Sequence, residues 1–224
     1  MFSGASGVTA AGVEVVFARN WSAEILPQRP LILPRRQFVY PAQADEVERG
    51  ALEVLVRPAQ GEPFLATCAL GYRDSATPTG VWSMPDPDWL CAVSGGYTYL
   101  IHVPEPERFV FLRYRPVLAV RNLCLDDAQS PTGAGQSTTE SKQCASGGLT
   151  LFVGHHSILA WGREGEAWES DRLSWEGVTV DRIEDGVLYG QGWDLMTDKD
   201  LPFALDLKTG KKSGKGFSTA IIQH

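Results

Sequence analysis

The stretch VTVDRIEDGVLY, residues 178–189, carries the clearest structural signal in the chain. Apolar and polar residues alternate before Asp185 and Gly186, and apolar residues resume directly after them. An Asp-Gly pair supplies the two positive φ angles of a type I′ turn, whose twist matches that of the strands it joins. The stretch therefore predicts a β-hairpin. Short apolar strands and glycine turns of the same kind continue from Leu149 to Leu207.

Three segments share one pattern, in which a strand is followed by a glycine turn and further apolar residues. They are WLCAVSGGYTYLI at 89–101, LTLFVGHHSILAW at 149–161 and GVLYGQGWDL at 186–195. Their spacing is about 40 residues once an intervening polar segment is set aside, which is the length of a four-stranded propeller blade. Segments 52–57 and 108–114 predict two more strands, because both are rich in β-branched and aromatic residues.

These patterns predict that residues 1–224 form a single all-β domain of irregular antiparallel repeats. The spacing favours a propeller-like arrangement of roughly four to five blades, and a β-sandwich with two sheets is the alternative. Segment 128–148 is rich in Ser, Thr, Gly and Gln, so it predicts a flexible insertion. Prolines divide the first half of the chain, and only 41–52 has the spacing of a short helix.

The last third of the chain also resembles a known family of repeats. The segments FVG at 152–154, ILAW at 158–161 and GEAW at 165–168 resemble a blade of quinoprotein-type (PQQ-like) β-propellers. In such a blade, two strands are followed by a glycine turn and an aromatic residue. The segment FALDLKTG at 203–210 is similar to the A-L-D-x-x-T-G turn of the same repeats. The resemblance, over about residues 149–216, implies a propeller scaffold and carries no catalytic residue with it.

Charge and hydropathy narrow the range of partners. The chain has 20 basic and 27 acidic residues and a formal charge of −7, which opposes attraction to nucleic acid and to anionic membranes. Apolar runs such as 149–153 are much shorter than the ~20 residues that span a bilayer. Residues 1–18 lack the basic start and continuous apolar core of a secretory signal. We therefore expect a soluble, cytoplasmic protein without a nucleic-acid or membrane partner.

Four cysteines, Cys68, Cys91, Cys124 and Cys144, are expected to be free thiols in that compartment. The first three lie among apolar residues and are interpreted as core positions. Cys144 lies in the predicted insertion, where pairing with Cys124 is the alternative.

Acidic residues cluster around two tryptophans between positions 164 and 176. Two carboxylates beside aromatic residues are typical of carbohydrate-active hydrolases, so Glu166 and Glu169 are the candidate catalytic pair. Acidic residues that alternate with apolar ones also fit a solvent-facing sheet edge, with Arg163 and Arg172 as local counterions. The solvent-facing interpretation is favoured.

Two further groups are candidate ligand residues. His155 and His156 are adjacent in a predicted turn and would bind a metal only if the turn brought both rings together. Ordinary polar turn residues are the favoured interpretation, and Asp194, Asp198 and Asp200 are likewise interpreted as loop residues rather than a calcium site. No metal site and no cofactor are therefore predicted.

The tryptophans are the remaining candidates for a ligand or partner surface. Large aromatic side chains dominate core burial, so core packing is the favoured role for the tryptophans. Four of them are retained as candidates for lining a ligand or partner surface: Trp161, Trp168, Trp175 and Trp193. No convergent catalytic set is present, so we expect a non-enzymatic binding or protein-interaction module that takes a protein or a small polar ligand. A carbohydrate-active hydrolase is the alternative.

Overall fold

The computed structural model describes residues 15–42, 49–125, 142–144 and 147–213. In these ranges the chain is all-β, with seventeen strands and no α-helix. The strands are β1 Val15–Phe17, β2 Trp21–Leu26, β3 Arg36–Tyr40, β4 Ala51–Pro58, β5 Phe64–Ala69, β6 Gly80–Ser83, β7 Trp89–Ser94, β8 Tyr97–His102, β9 Phe109–Phe111, β10 Val117–Cys124, β11 Lys142–Cys144, β12 Gly148–Gly154, β13 Ile158–Gly162, β14 Gly165–Glu169, β15 Val178–Glu184, β16 Val187–Asp194 and β17 Lys199–Asp206.

Four sheets follow one another along the chain. Their strand orders are β2-β4-β5-β3, β6-β7-β8-β9, β10-β12-β13-β14 and β15-β16-β17, and we number them as the first to the fourth sheet. Apart from the parallel pair β3 and β5, neighbouring strands within them are antiparallel. β1 and β11 form a separate parallel pair. The β-sandwich alternative, with two sheets, does not describe this arrangement.

Three apolar clusters lie between successive sheets. The first joins the first and second sheets, the second joins the second and third, and the third joins the third and fourth. Side chains alternate between the two faces of a strand, and β12 shows the consequence. Its Phe152 packs in the second cluster, whereas Leu151 and Val153 pack in the third. The middle sheets are therefore apolar on both faces.

The hairpin predicted from residues 178–189 is confirmed. Glu184 pairs with Val187 across a two-residue turn, and Asp185 and Gly186 have φ angles of 48° and 73°. These are the positive φ values that a type I′ turn requires. The strand and glycine-turn pattern of the 89–101 and 149–161 segments is also present, as the β7-β8 and β12-β13 pairs. In the third segment, 186–195, the expected turn is absent, because β16 continues through Gly190 and Gly192 in unbroken register with β17.

Two segments differ from their sequence-based expectations. Within the predicted helix at 41–52, Ala51 and Leu52 begin β4 instead, because Leu52 packs in the first cluster opposite Cys68. The rest of that prediction falls largely on residues 43–48, outside the described ranges. Within the predicted insertion at 128–148, Lys142–Cys144 form β11, and most of its other positions also lie outside the described ranges.

The cysteine prediction is correct for two residues and wrong for two. Cys68 and Cys91 are free and fully buried in the core. Cys124 and Cys144 are joined as a disulfide, with their Cα atoms 5.7 Å apart. The strand pairing explains the correction, because β11 brings Cys144 out of the predicted loop and beside the end of β10. Over the part of the chain that the structure describes, no helix is long and apolar enough to cross a membrane.

Candidate functional site

An open pocket of about 420 Å³ lies at one end of the third sheet. Three chain segments line it: residues 113–116, which connect β9 to β10; residues 154–157, which connect β12 to β13; and residues 169, 170 and 172, at the end of β14 and beyond. Antiparallel pairing brings these segments together, because Gly154 at the end of β12 lies opposite Val117 at the start of β10.

A chain of hydrogen bonds links Tyr114, Ser157 and Glu169 on the pocket wall. The Tyr114 hydroxyl donates to the Ser157 carbonyl oxygen. The Ser157 Oγ donates to Glu169 Oε1 at 3.0 Å. Gly154 permits the close approach, since a Cβ atom there would lie 2.7 Å from the Tyr114 hydroxyl. Burial raises the pKa of Tyr114 to about 12; the hydrogen bond with Ser157 opposes the rise, and the Glu169 charge adds to it.

A second part of the wall contains His156 and Arg172. Arg172 Nη1 lies 3.2 Å from His156 Nδ1, and the Ser174 carbonyl oxygen lies 3.3 Å from the same nitrogen. A guanidinium only donates and a carbonyl only accepts, so Nδ1 satisfies one of these partners at a time. The Arg172 guanidinium also lies 4.4 Å from the ring centre of Trp175. Arg172 is thus positioned by its contact with the Trp175 ring and by a hydrogen bond to His156 Nδ1. That hydrogen bond is lost when Nδ1 carries a proton and donates to the Ser174 carbonyl oxygen instead.

The pocket carries an excess of positive charge. Arg113, Arg115 and Arg172 line it, together with a single carboxylate, Glu169. Among the described residues, none of these three guanidiniums lies within ion-pair distance of a carboxylate. Arg115 lies over the ring of Phe111 at 4.8 Å and over that of Tyr97 at 5.1 Å. A contact with an aromatic face leaves the N–H donors of the guanidinium free for a ligand.

The structure brings three of the predicted site residues to this pocket, namely His155, His156 and Glu169. Glu166, the other member of the candidate catalytic pair, is exposed and does not line the pocket. The remaining acidic side chains of the cluster are also exposed: Glu164, Asp171 and Glu176. Arg172 contacts His156 and Trp175 rather than any of these carboxylates.

The four candidate tryptophans lie in different surroundings. Trp168 is buried in the third cluster, and its Nε1 donates to the Leu207 carbonyl oxygen at 2.8 Å. Trp161 packs against the second cluster from β13. Trp193 is partly buried, and its Nε1 donates to Asp198 Oδ1 at 3.2 Å. Trp175 is 45% exposed, and its ring lies beside Arg172. Trp175 therefore contacts a residue of the pocket lining.

The predicted metal alternatives can also be placed. The rings of His155 and His156 have their centres 6.1 Å apart. No group of three or more His, Cys, Asp or Glu side chains suited to a metal ion occurs in the ranges that the structure describes. The interpretation of Asp194, Asp198 and Asp200 as loop residues is correct for Asp198 alone, because Asp194 ends β16 and Asp200 lies within β17. Asp194 Oδ2 accepts hydrogen bonds from the Thr197 amide and hydroxyl in the connecting turn.

Sequence reasoning missed Arg113, Tyr114, Arg115 and Ser157. The composition of segment 108–114 predicts one strand, whereas β9 spans only Phe109–Phe111. The following Arg113-Tyr114-Arg115-Pro116 segment, with a basic residue on each side of a tyrosine, was the available signal for a polar loop. The Tyr114 contact with Ser157 spans 43 residues, so no local pattern indicates it.

Comparisons with known proteins found no protein-family model that matches the chain. No curated protein and no solved structure matches it either.

Proposed function

We propose that the protein is a non-enzymatic binding module and that its ligand site is the pocket at the end of the third sheet. The convergence of polar side chains from three separate segments on one open pocket supports this proposal most strongly. A small number of well-placed polar groups in a concave site is typical of small-molecule recognition. The ligand would contact residues 113–116, the 154–157 turn and the loop that follows β14.

The proposed scaffold is propeller-like, with the four sheets as four irregular blades. Its support is the succession of short, mainly antiparallel sheets with an apolar cluster between each sheet and the next. The turn after β17 belongs to the segment 203–210, which carries part of the resemblance to quinoprotein-type repeats. There Asp206 Oδ1 accepts hydrogen bonds from the Lys208 and Thr209 amides, and the Gly210 amide donates to the Asp206 carbonyl oxygen. On such a scaffold, the loops at the sheet ends are the usual location of ligand sites.

Binding accounts for the pocket better than hydrolysis does. A glycoside hydrolase of the common kind uses two carboxyl groups on either side of the scissile bond. Glu169 is the one carboxylate among the residues that line this pocket, and it accepts a hydrogen bond from Ser157. Glu166 lies outside the lining. The hydrolase alternative therefore lacks its second catalytic group at this site.

A thermal-shift screen with small polar molecules tests the proposal. A ligand that binds the native state raises the melting temperature, and the rise grows with the ratio of the free ligand concentration to the Kd. The screen is run on the wild type, on His155→Trp, which places a large ring in the pocket, and on Ser75→Trp. Ser75 lies in an exposed turn outside the pocket, so it is the matched control.

We expect at least one molecule to stabilise the wild type and Ser75→Trp but not His155→Trp. Stabilisation that persists unchanged in His155→Trp would move the binding site elsewhere. A screen in which no small molecule stabilises the wild type would contradict a small-molecule module.

A further inference from the structure

We infer that the ligand of this pocket carries an oxyanion, a phosphate or a carboxylate group, and that Arg113, Arg115 and Arg172 select it. The inference rests on the proposed function and adds the chemical class of the ligand. Guanidinium groups suit this role because their planar array of N–H donors matches the oxygens of phosphate and carboxylate groups.

The charge distribution is the first observation behind the inference. The whole chain has a formal charge of −7, yet three of the residues that line this pocket are arginines and one is a carboxylate. Like charges that share a concave site repel one another, and an anionic ligand relieves that repulsion. Within the described ranges, neither a hydrogen bond nor an ion pair joins the Arg113 side chain to another protein group. Its donors are thus available to a ligand.

The second observation is the arrangement around Arg172. Its guanidinium is positioned by the Trp175 ring at 4.4 Å and by His156 Nδ1 at 3.2 Å. When an anion takes the Arg172 donor, a His156 ring with the proton on Nδ1 donates to the Ser174 carbonyl oxygen, 3.3 Å away. After this change of hydrogen-bond partners, neither Arg172 nor His156 has a buried polar atom without a partner. The free-energy cost of breaking the Arg172–His156 hydrogen bond on ligand binding is therefore small.

The third observation is the polarity of the pocket. Glu169 and its hydrogen-bond partner Ser157 make one part of the wall acidic, whereas the arginines make the rest basic. Repulsion by Glu169 directs an oxyanion toward the arginines. The part of the ligand near Glu169 is then expected to be neutral or to carry a hydrogen-bond donor.

The test is a calorimetric titration with inorganic phosphate, with succinate and with uncharged glycerol, at matched ionic strength. The variants are Arg113→Gln, Arg172→Gln and the control Arg163→Gln. Arg163 is exposed in the β13-β14 turn and does not line the pocket. The Arg163→Gln substitution therefore removes the same charge outside the pocket. Thermal unfolding of each variant verifies that it is folded. Arg113→Gln keeps the test decisive even if Arg172→Gln is unstable, because among the described residues Arg113 is exposed and forms no ion pair that the substitution would remove.

We expect one of the two anions to bind the wild type and the Arg163→Gln control. The Arg113→Gln and Arg172→Gln substitutions should each raise its Kd about tenfold or more, the change expected when a charge-assisted hydrogen bond is lost. Binding of inorganic phosphate identifies a phosphate ligand, and binding of succinate identifies a carboxylate. Equal affinity in all three variants would overturn the inference, as would binding of neither anion. If neither anion binds but a neutral molecule stabilises the wild type and not His155→Trp, the inference fails while the proposed function stands.

Discussion

Gly210 offers a direct test of how the turn after β17 packs on the third sheet. It has a φ of +68°, and a Cβ atom at this position would lie 2.4 Å from Cε3 of Trp168. The Trp168 indole is buried and hydrogen-bonded to Leu207, so the ring has little freedom to move away. Gly210→Ala therefore introduces backbone strain and a steric clash together.

Gly186 separates the two effects. Its φ is +73°, close to that of Gly210, but nothing lies within 4 Å of a Cβ atom there. A non-glycine residue in the left-handed region costs about 1–2 kcal/mol, so Gly186→Ala should destabilise the protein by that amount. Overpacking against a rigid neighbour adds about 1–3 kcal/mol. We therefore expect Gly210→Ala to cost about 2–5 kcal/mol in total.

Urea unfolding followed by tryptophan fluorescence measures both variants. The midpoint should fall further for Gly210→Ala than for Gly186→Ala, by a difference equivalent to about 1–3 kcal/mol. Equal destabilisation of the two variants would show that Gly210 does not pack against Trp168, and the account of this turn would be refuted.

Three further predictions concern other parts of the molecule. Burial raises the pKa of the Cys68 and Cys91 thiols well above the usual range. Neither thiol should therefore react with an aromatic disulfide reagent at neutral pH until denaturant is added. Fast reaction of the native protein would contradict their burial. The folded state holds the Tyr114 proton up to a pKa of about 12, against 10.0 as the ordinary value. Stability is therefore complete below the ordinary value and falls as the pH rises between the two. Tyr114→Phe should reduce the slope of this loss by up to about 1.4 kcal/mol per pH unit, and an unchanged slope in urea titrations across that range would count against the shift. Leu31 and Ile32 are 100% and 91% exposed. Leu31→Ser and Ile32→Ser should therefore each change the free energy of unfolding by less than about 0.5 kcal/mol. A larger loss of stability, measured by chemical unfolding, would mean that the loop around these residues is packed.

The parts of the fold that the sequence predicted are those set by local chemistry. The Asp185-Gly186 turn is one example, because a two-residue connection with two positive φ angles leaves the flanking strands few alternatives. The parallel pairing of β3 with β5 is the opposite case. It depends on the connection from β2 to β3, which takes the chain from one edge of the first sheet to the other. No pattern within residues 36–40 distinguishes a parallel partner from an antiparallel one.

The candidate site was predicted in part for the same reason. His155, His156 and Glu169 were singled out by type and spacing, but sequence spacing could not show that Glu169 bonds Ser157 while Glu166 lies outside the pocket. Arg113, Tyr114 and Arg115 enter the site through the pairing of β10 with β12, which joins positions far apart in the chain. Side-chain convergence of this kind follows from register, and register is not visible in a single strand.

The proposed ligand site is the pocket at the end of the third sheet. The most direct measurement is a map of amide chemical-shift changes in the ¹⁵N-labelled protein, titrated with the molecule that stabilises it most in the thermal-shift screen. The account predicts that the largest changes lie at Tyr114, Arg115, residues 154–157 and Arg172, around the pocket lining. Changes centred elsewhere, for example at the exposed residues Leu195 and Met196, with none at the pocket, would contradict it.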